Sequence, residues 1–146
     1  MPDHIPHLLF VCIQNSCRSQ MAEGFAQHFG GDRVVAMSAG SRPSGRVHPG
    51  AIRFMAERGI LLAGHHSKAL DDLPAATWDY IVTMGCGDAC PHVPARHRVD
   101  WDLPDPATLD DNAFRAVRDR IEALVRDLVK SAISDGAAAS AREDGS

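Results

Sequence analysis

Residues 7–12 read HLLFVC, a continuous apolar run with polar residues beyond both ends. So short and uniform a run is the pattern of a strand covered on both faces, the usual state of strands in a parallel sheet between helices. A polar stretch follows, then SQMAEGFAQHF (19–29), with Met21, Ala22, Phe25, Ala26 and Phe29 at helical spacing and a stop signal at Gly30-Gly31. Strand, loop and amphipathic helix in that order open a βαβ unit. This constrains the chain more than any bulk property.

The alternation repeats. VVAMSAG (34–40) reads as a second strand, SRPSGR (41–46) as a loop, and Pro49 opens a helix running through Met55 to Arg58 and ended by Gly59. WDYIVTM (78–84) is a third strand leading into GCGDACP, RVDWDL (98–103) a fourth, and PDPATLDD a proline-rich turn. From Asn112 onward, Phe114, Val117, Ile121, Leu124, Val125 and Leu128 form one apolar stripe, so the last helix packs on the sheet. The tail, SDGAAASAREDGS, has no periodicity and reads as disordered, which leaves a single domain over residues 1–133 and a tail over 134–146. The chain of 146 residues is long enough to bury one sizeable core. The expectation is an α/β fold with a parallel sheet, whose ligands bind beyond the carboxyl ends of the strands. The 10–20 loop, the 85–91 loop and the 103–106 turn all follow strands and should gather on that edge.

The formal net charge of −4 argues against a nucleic-acid partner but leaves room for a local basic pocket that holds a small anion. The first residues, MPDHIPHLLFVC, lack a basic segment, and their apolar run is too short for a signal peptide or a membrane span. The expected location is the cytoplasm. In that reducing compartment the four cysteines read as metal ligands, redox or catalytic thiols, or small buried hydrophobes rather than structural disulfides.

The pattern Cys12-x5-Arg18 falls between the first strand and the first helix. A loop there turns successive backbone N–H groups inward, and the helix adds its unsatisfied N-terminal donors and the positive end of its dipole. That cradle suits a tetrahedral oxyanion, and Arg18 adds a planar fork for two of its oxygens. The same field stabilises thiolate, the nucleophilic form of cysteine, where Cys12 stands, and Ser19 is placed to donate to that sulfur. Asn15 is a residue type that tolerates the left-handed backbone a tight anion loop needs. Cys17, in the loop's last turn, reads as a small side chain packed beneath the cradle.

VCIQNSCRSQMAEGF closely resembles the active-site loop of the arsenate reductases built on the low-molecular-weight protein tyrosine phosphatase fold. The resemblance runs on through VVAMSAG, VHPGAIRFMAERGI, HHSKAL, VTMGCGDACP and DWDLPDPA, covering residues 7–130. It implies a three-layer α/β/α fold with a four-stranded parallel sheet and an anion loop at 12–18, with Cys12 as nucleophile, assisted by Arg18 and Ser19. Ile13, Gln14, Asn15, Ser16, Cys17 and Arg18 would then bind the substrate. It implies too that Asp105 protonates the departing oxygen, a role with a physical reason, since hydroxide leaves poorly without a proton. Taken alone, Asp105 is an ordinary turn aspartate before proline.

A phosphatase needs only Cys12, Arg18 and Asp105, whereas a reductase must also supply two electrons. As the resemblance implies, Cys86 attacks Cys12 and Cys90 then attacks Cys86, leaving a Cys86–Cys90 disulfide for an external reductant. Residues four apart on a helix or tight turn lie about 6 Å apart at Cα, within bridging range, and Gly85 and Gly87 suit a segment that must move. The reductant expected is thioredoxin, or mycothiol or glutathione acting with mycoredoxin or glutaredoxin, with no tightly bound cofactor. Phosphate or sulfate can occupy the arsenate site, and the chain is expected to be a monomer.

Alternatives to the relay are a loose zinc site of Cys86, Cys90 and His92 with His97, or two inert strand-end cysteines. Gln20 stands where the phosphatases typically carry proline, and Ala107 and Thr108 stand where they usually carry aromatic residues to hold a phosphotyrosine ring. Trp101 lines the pocket or is simply a half-buried strand residue. Gln14 departs from the glycine of many relatives. Some relatives bind potassium at positions matching Asn15, Glu23 and Ser38, but Lys68 stands where an aspartate ligand belongs, so no bound metal is expected. The spacing of His48, His65 and His66 names no role, and they read as structural or surface residues.

Overall fold

The computed structural model describes residues 5–12, 15, 17–40, 44–62, 65, 67, 69, 78–84 and 94–144. Four strands and three helices follow in the order β1 (His7–Cys12), α1 (Arg18–Gly30), β2 (Val35–Gly40), α2 (Pro49–Ala56), β3 (Trp78–Thr83), β4 (Ala95–Asp100) and α3 (Asp111–Asp144). The strands form one sheet in the order β2-β1-β3-β4, and every neighbouring pair is parallel. β1 sits in the interior, paired on both sides, as its apolar sequence requires.

Alternating β1 residues serve opposite faces of the sheet. Leu8, Phe10 and Cys12 join Tyr80 and Val82 in a core shared with α1, α2 and α3. On the other face Leu9, Val11, Ala39, Trp78 and Ile81 form a second buried cluster. Both faces are thus buried, as in the middle layer of a sandwich. The stripe predicted for the last helix does face the core: Phe114, Val117, Ile121, Val125 and Leu128 are buried and Leu124 packs against them. α1 ends where expected, because Gly31 takes φ +56°, a conformation disfavoured for residues with a Cβ.

Two boundaries differ from the sequence reading. The fourth strand spans 95–100 rather than 98–103. It is the edge strand, largely exposed, and ARHRVD carries no apolar pattern to announce it. Trp101 and Leu103, which drew the expectation onward, are buried just past the strand's end. The second difference is at the tail, expected to be disordered from 134, where α3 continues to Asp144. Alanine-rich sequence has high helix propensity without any apolar stripe, and the Tyr80 hydroxyl donates to Asp135, tying this part of the helix to the sheet. Among the described residues no helix is long and apolar enough to cross a membrane.

Candidate active site

The carboxyl ends of the strands bring the chemistry-bearing residues to one edge. Cys12 ends β1 opposite Gly40 of β2, and the N–H of Met84, just past β3, donates to the Val11 carbonyl at 2.8 Å. Beyond β4 the N–H of Trp101 donates to Thr83 at 2.9 Å, and the chain then passes through Leu103 to Asp105. Trp101 is buried against Phe10, with ring centroids 6.0 Å apart, so the ring is a core residue at this edge.

The turn from Cys12 into α1 makes the site. Asn15 adopts φ +49°, the left-handed conformation its residue type tolerates. Cys17 is the N-cap of α1 and makes no side-chain capping bond among the described residues, and the first turn contains no acidic residue. The positive end of the helix is therefore not neutralised from within.

Side chains from that first turn point back to the loop. The Ser19 hydroxyl lies 2.8 Å from the Cys12 sulfur, and Asn15 Nδ2 donates to Ser19 Oγ at 2.8 Å. Gln20 Nε2 donates to both Asn15 oxygens, at 3.1 Å to the backbone carbonyl and 3.0 Å to Oδ1. All three polar residues are fully buried, so their hydrogen bonds do not compete with water. Arg18 is also buried and donates through Nη1 to the Leu103 carbonyl at 2.9 Å.

Cys17 packs in the core with Met21 and Phe25 and behaves unlike Cys12's loop neighbours. Burial pushes its thiol up to about 12, the charges of Asp105 and Cys12 add to the rise, and Arg18 opposes it. That balance also places Asp105, exposed at the turn, Arg18 and Cys12 within electrostatic reach of Cys17.

Behind the loop lies a second polar group. Glu23 is buried and accepts from the Ser38 hydroxyl through one oxygen and from Gln27 Nε2, 3.3 Å away, through the other. His65 Nδ1 stands 3.4 Å from that second oxygen and 3.2 Å from Gln20 Oε1. Sequence reasoning gave His65 no role because nothing in its spacing tied it to residues 20 and 23. Of the positions that match potassium ligands in relatives, Asn15 Oδ1 and both Glu23 oxygens already accept hydrogen bonds from this chain's own donors. Together with Ser38, Gln27 and His65 they form one hydrogen-bonded cluster behind the loop.

Among the described residues no group of three His, Cys, Asp or Glu side chains is arranged to hold a metal ion. His97, entertained above as a zinc ligand, stacks on Tyr80 at 4.7 Å, well back from the carboxyl edge. His48 accepts from the Gly50 N–H and caps α2. Ile13, Gln14 and Ser16 of the loop, the relay cysteines Cys86 and Cys90, His66, Lys68 and His92 lie outside the described residues.

Comparison with known proteins agrees with this geometry. The model of a family described as low molecular weight phosphotyrosine protein phosphatase matches residues 7–138. The glutaredoxin arsenate reductase of Synechocystis sp. is 38% identical over 125 residues, covering 84% of this chain and 95% of that protein. A solved arsenate reductase in the phosphate-binding state superposes with TM-score 0.78 at 36% identity, covering 87% of this chain and 98% of that one. The thioredoxin-dependent arsenate reductase of Corynebacterium glutamicum gives TM-score 0.75 at 35% identity, over 92% of this chain and 64% of that one. With the four-stranded parallel sheet, these likenesses agree with the α/β fold expected from the sequence.

Proposed function

The chain belongs to the low molecular weight phosphotyrosine protein phosphatase family, and on that premise we propose that it is an arsenate reductase. Cys12 thiolate attacks arsenic, forming a sulfur–arsenic bond while an arsenic–oxygen bond breaks, and Asp105 protonates the departing oxygen so that it leaves as water. Arg18 and the backbone of residues 13–18 hold the remaining oxygens, and the Ser19 hydroxyl stabilises the Cys12 sulfur. Cys86 thiolate then attacks the Cys12 sulfur. The sulfur–arsenic pair departs with arsenic, reducing it from the pentavalent to the trivalent state as arsenite. Cys90 attacks Cys86 next, freeing Cys12 and leaving a Cys86–Cys90 disulfide.

One observation supports the reductase over simple hydrolysis. The Met84 N–H bonds to Val11, the residue before Cys12, so the chain leaves β3 beside the nucleophile. Cys86 follows two positions later in the sequence. A thiol at that point of the chain serves a reductase and has no task in a hydrolase. Gln20 also has work in this loop, donating to both oxygens of Asn15, where the phosphatases typically carry a proline that has no such donor.

The electrons come from an external thiol reductant: thioredoxin, or a mycothiol or glutathione system with its mycoredoxin or glutaredoxin. No metal takes part, one chain supplies every residue of the reaction within residues 1–133, and the setting is the reducing cytoplasm, where such disulfides are transient. Hydrolysis of small phosphomonoesters through a Cys12 phosphocysteine is the second reading, favoured by a loop, arginine and carboxylate that suffice for it.

Steady-state arsenate reduction with each reductant, beside a chromogenic phosphatase assay, tests these readings. Cys12→Ser should abolish both activities, and retention of either removes Cys12 as nucleophile. Cys86→Ser or Cys90→Ser should abolish thioredoxin-coupled turnover while sparing phosphatase activity. Intact thioredoxin-coupled turnover in those variants would overturn the relay.

A further inference from the structure

We propose that Gly50, pinned by the His48 cap, is the seat that sets Phe114 and through it the place of Asp105, so that His48 and Gly50 are positioning residues for the proton donor. The proposal rests on the reading of Asp105 as the acid and deepens it with two residues at the start of α2, which act through α3.

The contact between the two helices is close. The His48 ring accepts from the Gly50 N–H at 2.9 Å, which fixes the first turn of α2. A Cβ at Gly50 would stand 2.8 Å from a ring carbon of Phe114 and 3.0 Å from His48 Nδ1, nearer than atoms pack. Phe114 is buried, with the Phe54 ring centroid 4.8 Å away and that of His48 at 5.9 Å, so it has no room to retreat. Arg53 of α2 also pairs with Asp111, the first residue of α3, at 3.4 Å. Glycine is a poor residue inside a helix and alanine the best. Its presence at position 50 answers to the approach of Phe114 rather than to the stability of α2.

From Phe114 a run of hydrogen bonds leads back to Asp105. The Phe114 N–H donates to the Asp110 carbonyl and the Ala113 N–H to Asp110 Oδ1, both at 2.8 Å, so Asp110 caps α3. The Leu109 N–H donates to the Pro106 carbonyl at 3.0 Å, closing a single 3-10 turn over Pro106–Thr108. Pro106 follows Asp105 directly, is buried, and has its φ fixed by its ring. On the other side of Asp105, the Leu103 carbonyl is held by Arg18. A shift of Phe114 therefore reaches the Asp105 turn from its α3 end. Misplacing a catalytic group by about 1 Å can slow a reaction about 100-fold.

A double-mutant cycle tests this on arsenate turnover, or on alkyl phosphate hydrolysis if that is the activity Cys12 shows. Gly50→Ala should lower kcat about tenfold and leave KM nearly unchanged. His48→Ala, which removes the cap, should act in the same direction. His48→Asn, which keeps an acceptor for the Gly50 N–H, should recover most of the rate. In an Asp105→Asn background Gly50→Ala should lower kcat less than about twofold, since the group it displaces no longer donates a proton. Equal losses in both backgrounds, or wild-type kcat in Gly50→Ala and His48→Ala, would overturn the proposal. If Gly50→Ala does not fold, His48→Ala completes the cycle in its place, with His48→Asn as its control. Wild-type turnover by Asp105→Asn would instead remove Asp105 as the acid. That result is distinct from an impaired Asp105→Asn on which Gly50→Ala still takes its full tenfold.

Discussion

Arg18 Nη1 donates to the Leu103 carbonyl oxygen at 2.9 Å, joining two segments that lie 85 positions apart in sequence. One guanidinium thereby sets the separation between the anion loop and the turn that carries Asp105. Its remaining N–H groups stay available for substrate oxygens, since a guanidinium has five donors in a fixed fork. A lysine keeps the charge but cannot serve the carbonyl and two oxygens at once. Arg18→Lys should lower kcat/KM for arsenate about 10- to 100-fold, as expected for loss of charge-assisted hydrogen bonds. Steady-state kinetics checks this, and a wild-type value would show that charge alone suffices.

Cys17 should be chemically silent beside its reactive neighbour. Its thiol is pushed from 9.0 to about 12, first by burial and then by the charges of Asp105 and Cys12. Peptide mapping after alkylation at neutral pH should therefore find Cys12 modified and Cys17 untouched. A stability consequence follows from the sign of the shift. Above pH 9 the unfolded thiol releases its proton while the folded one keeps it to about 12, so folding stability falls as pH rises through that window. Urea denaturation should show the wild type losing stability faster than Cys17→Ala above pH 9. Parallel curves would refute the shift.

Much of this site was legible because it is local. Cys12, Asn15, Arg18 and Ser19 fall within eight residues of one strand–loop–helix turn, and residue type alone anticipated the positive φ of Asn15. The parallel sheet was legible too, since buried strands announce themselves as apolar runs. β4 was misplaced because an exposed edge strand is stabilised by backbone pairing that leaves no apolar signature. His65 was invisible for a different reason. It meets Gln20 across 45 positions, and no pattern within one element encodes such a contact. α3 outran its apolar stripe because the stripe reports packing, whereas helix continuation depends on propensity.

Glu57 anchors the outer face of α3 and should make the fold sensitive to acid. Hydrogen bonds from Arg115 and then Arg118 hold its carboxyl down at about 2, against 4.5 when unpaired. Between those values the unfolded carboxyl takes up a proton that the folded one refuses. This contribution is therefore present above pH 4.5 and lost as pH falls toward 2. Glu57→Gln should flatten the acid limb of the stability curve, and added salt should flatten the wild-type limb in part because the pair is exposed. Identical acid limbs in wild type and variant would count against the arginine pairing.

Asp105 offers a test that depends on the leaving group rather than on folding. The residue is exposed, so Asp105→Asn should fold normally and keep its anion affinity. If its carboxyl supplies a proton to the departing oxygen, the loss should track how badly that oxygen needs one. Arsenate turnover, which expels a hydroxide-like group, should fall about 100-fold or more, within the usual range for a general acid. In the phosphatase assay an alkyl phosphate should suffer similarly, while p-nitrophenyl phosphate, whose leaving group is already stable as an anion, should suffer far less. The ratio of the two phosphatase rates is the decisive quantity, because a general loss of structure lowers both together. An unchanged ratio in Asp105→Asn would mean that the proton comes from elsewhere and that the carboxylate serves only the electrostatics of the loop.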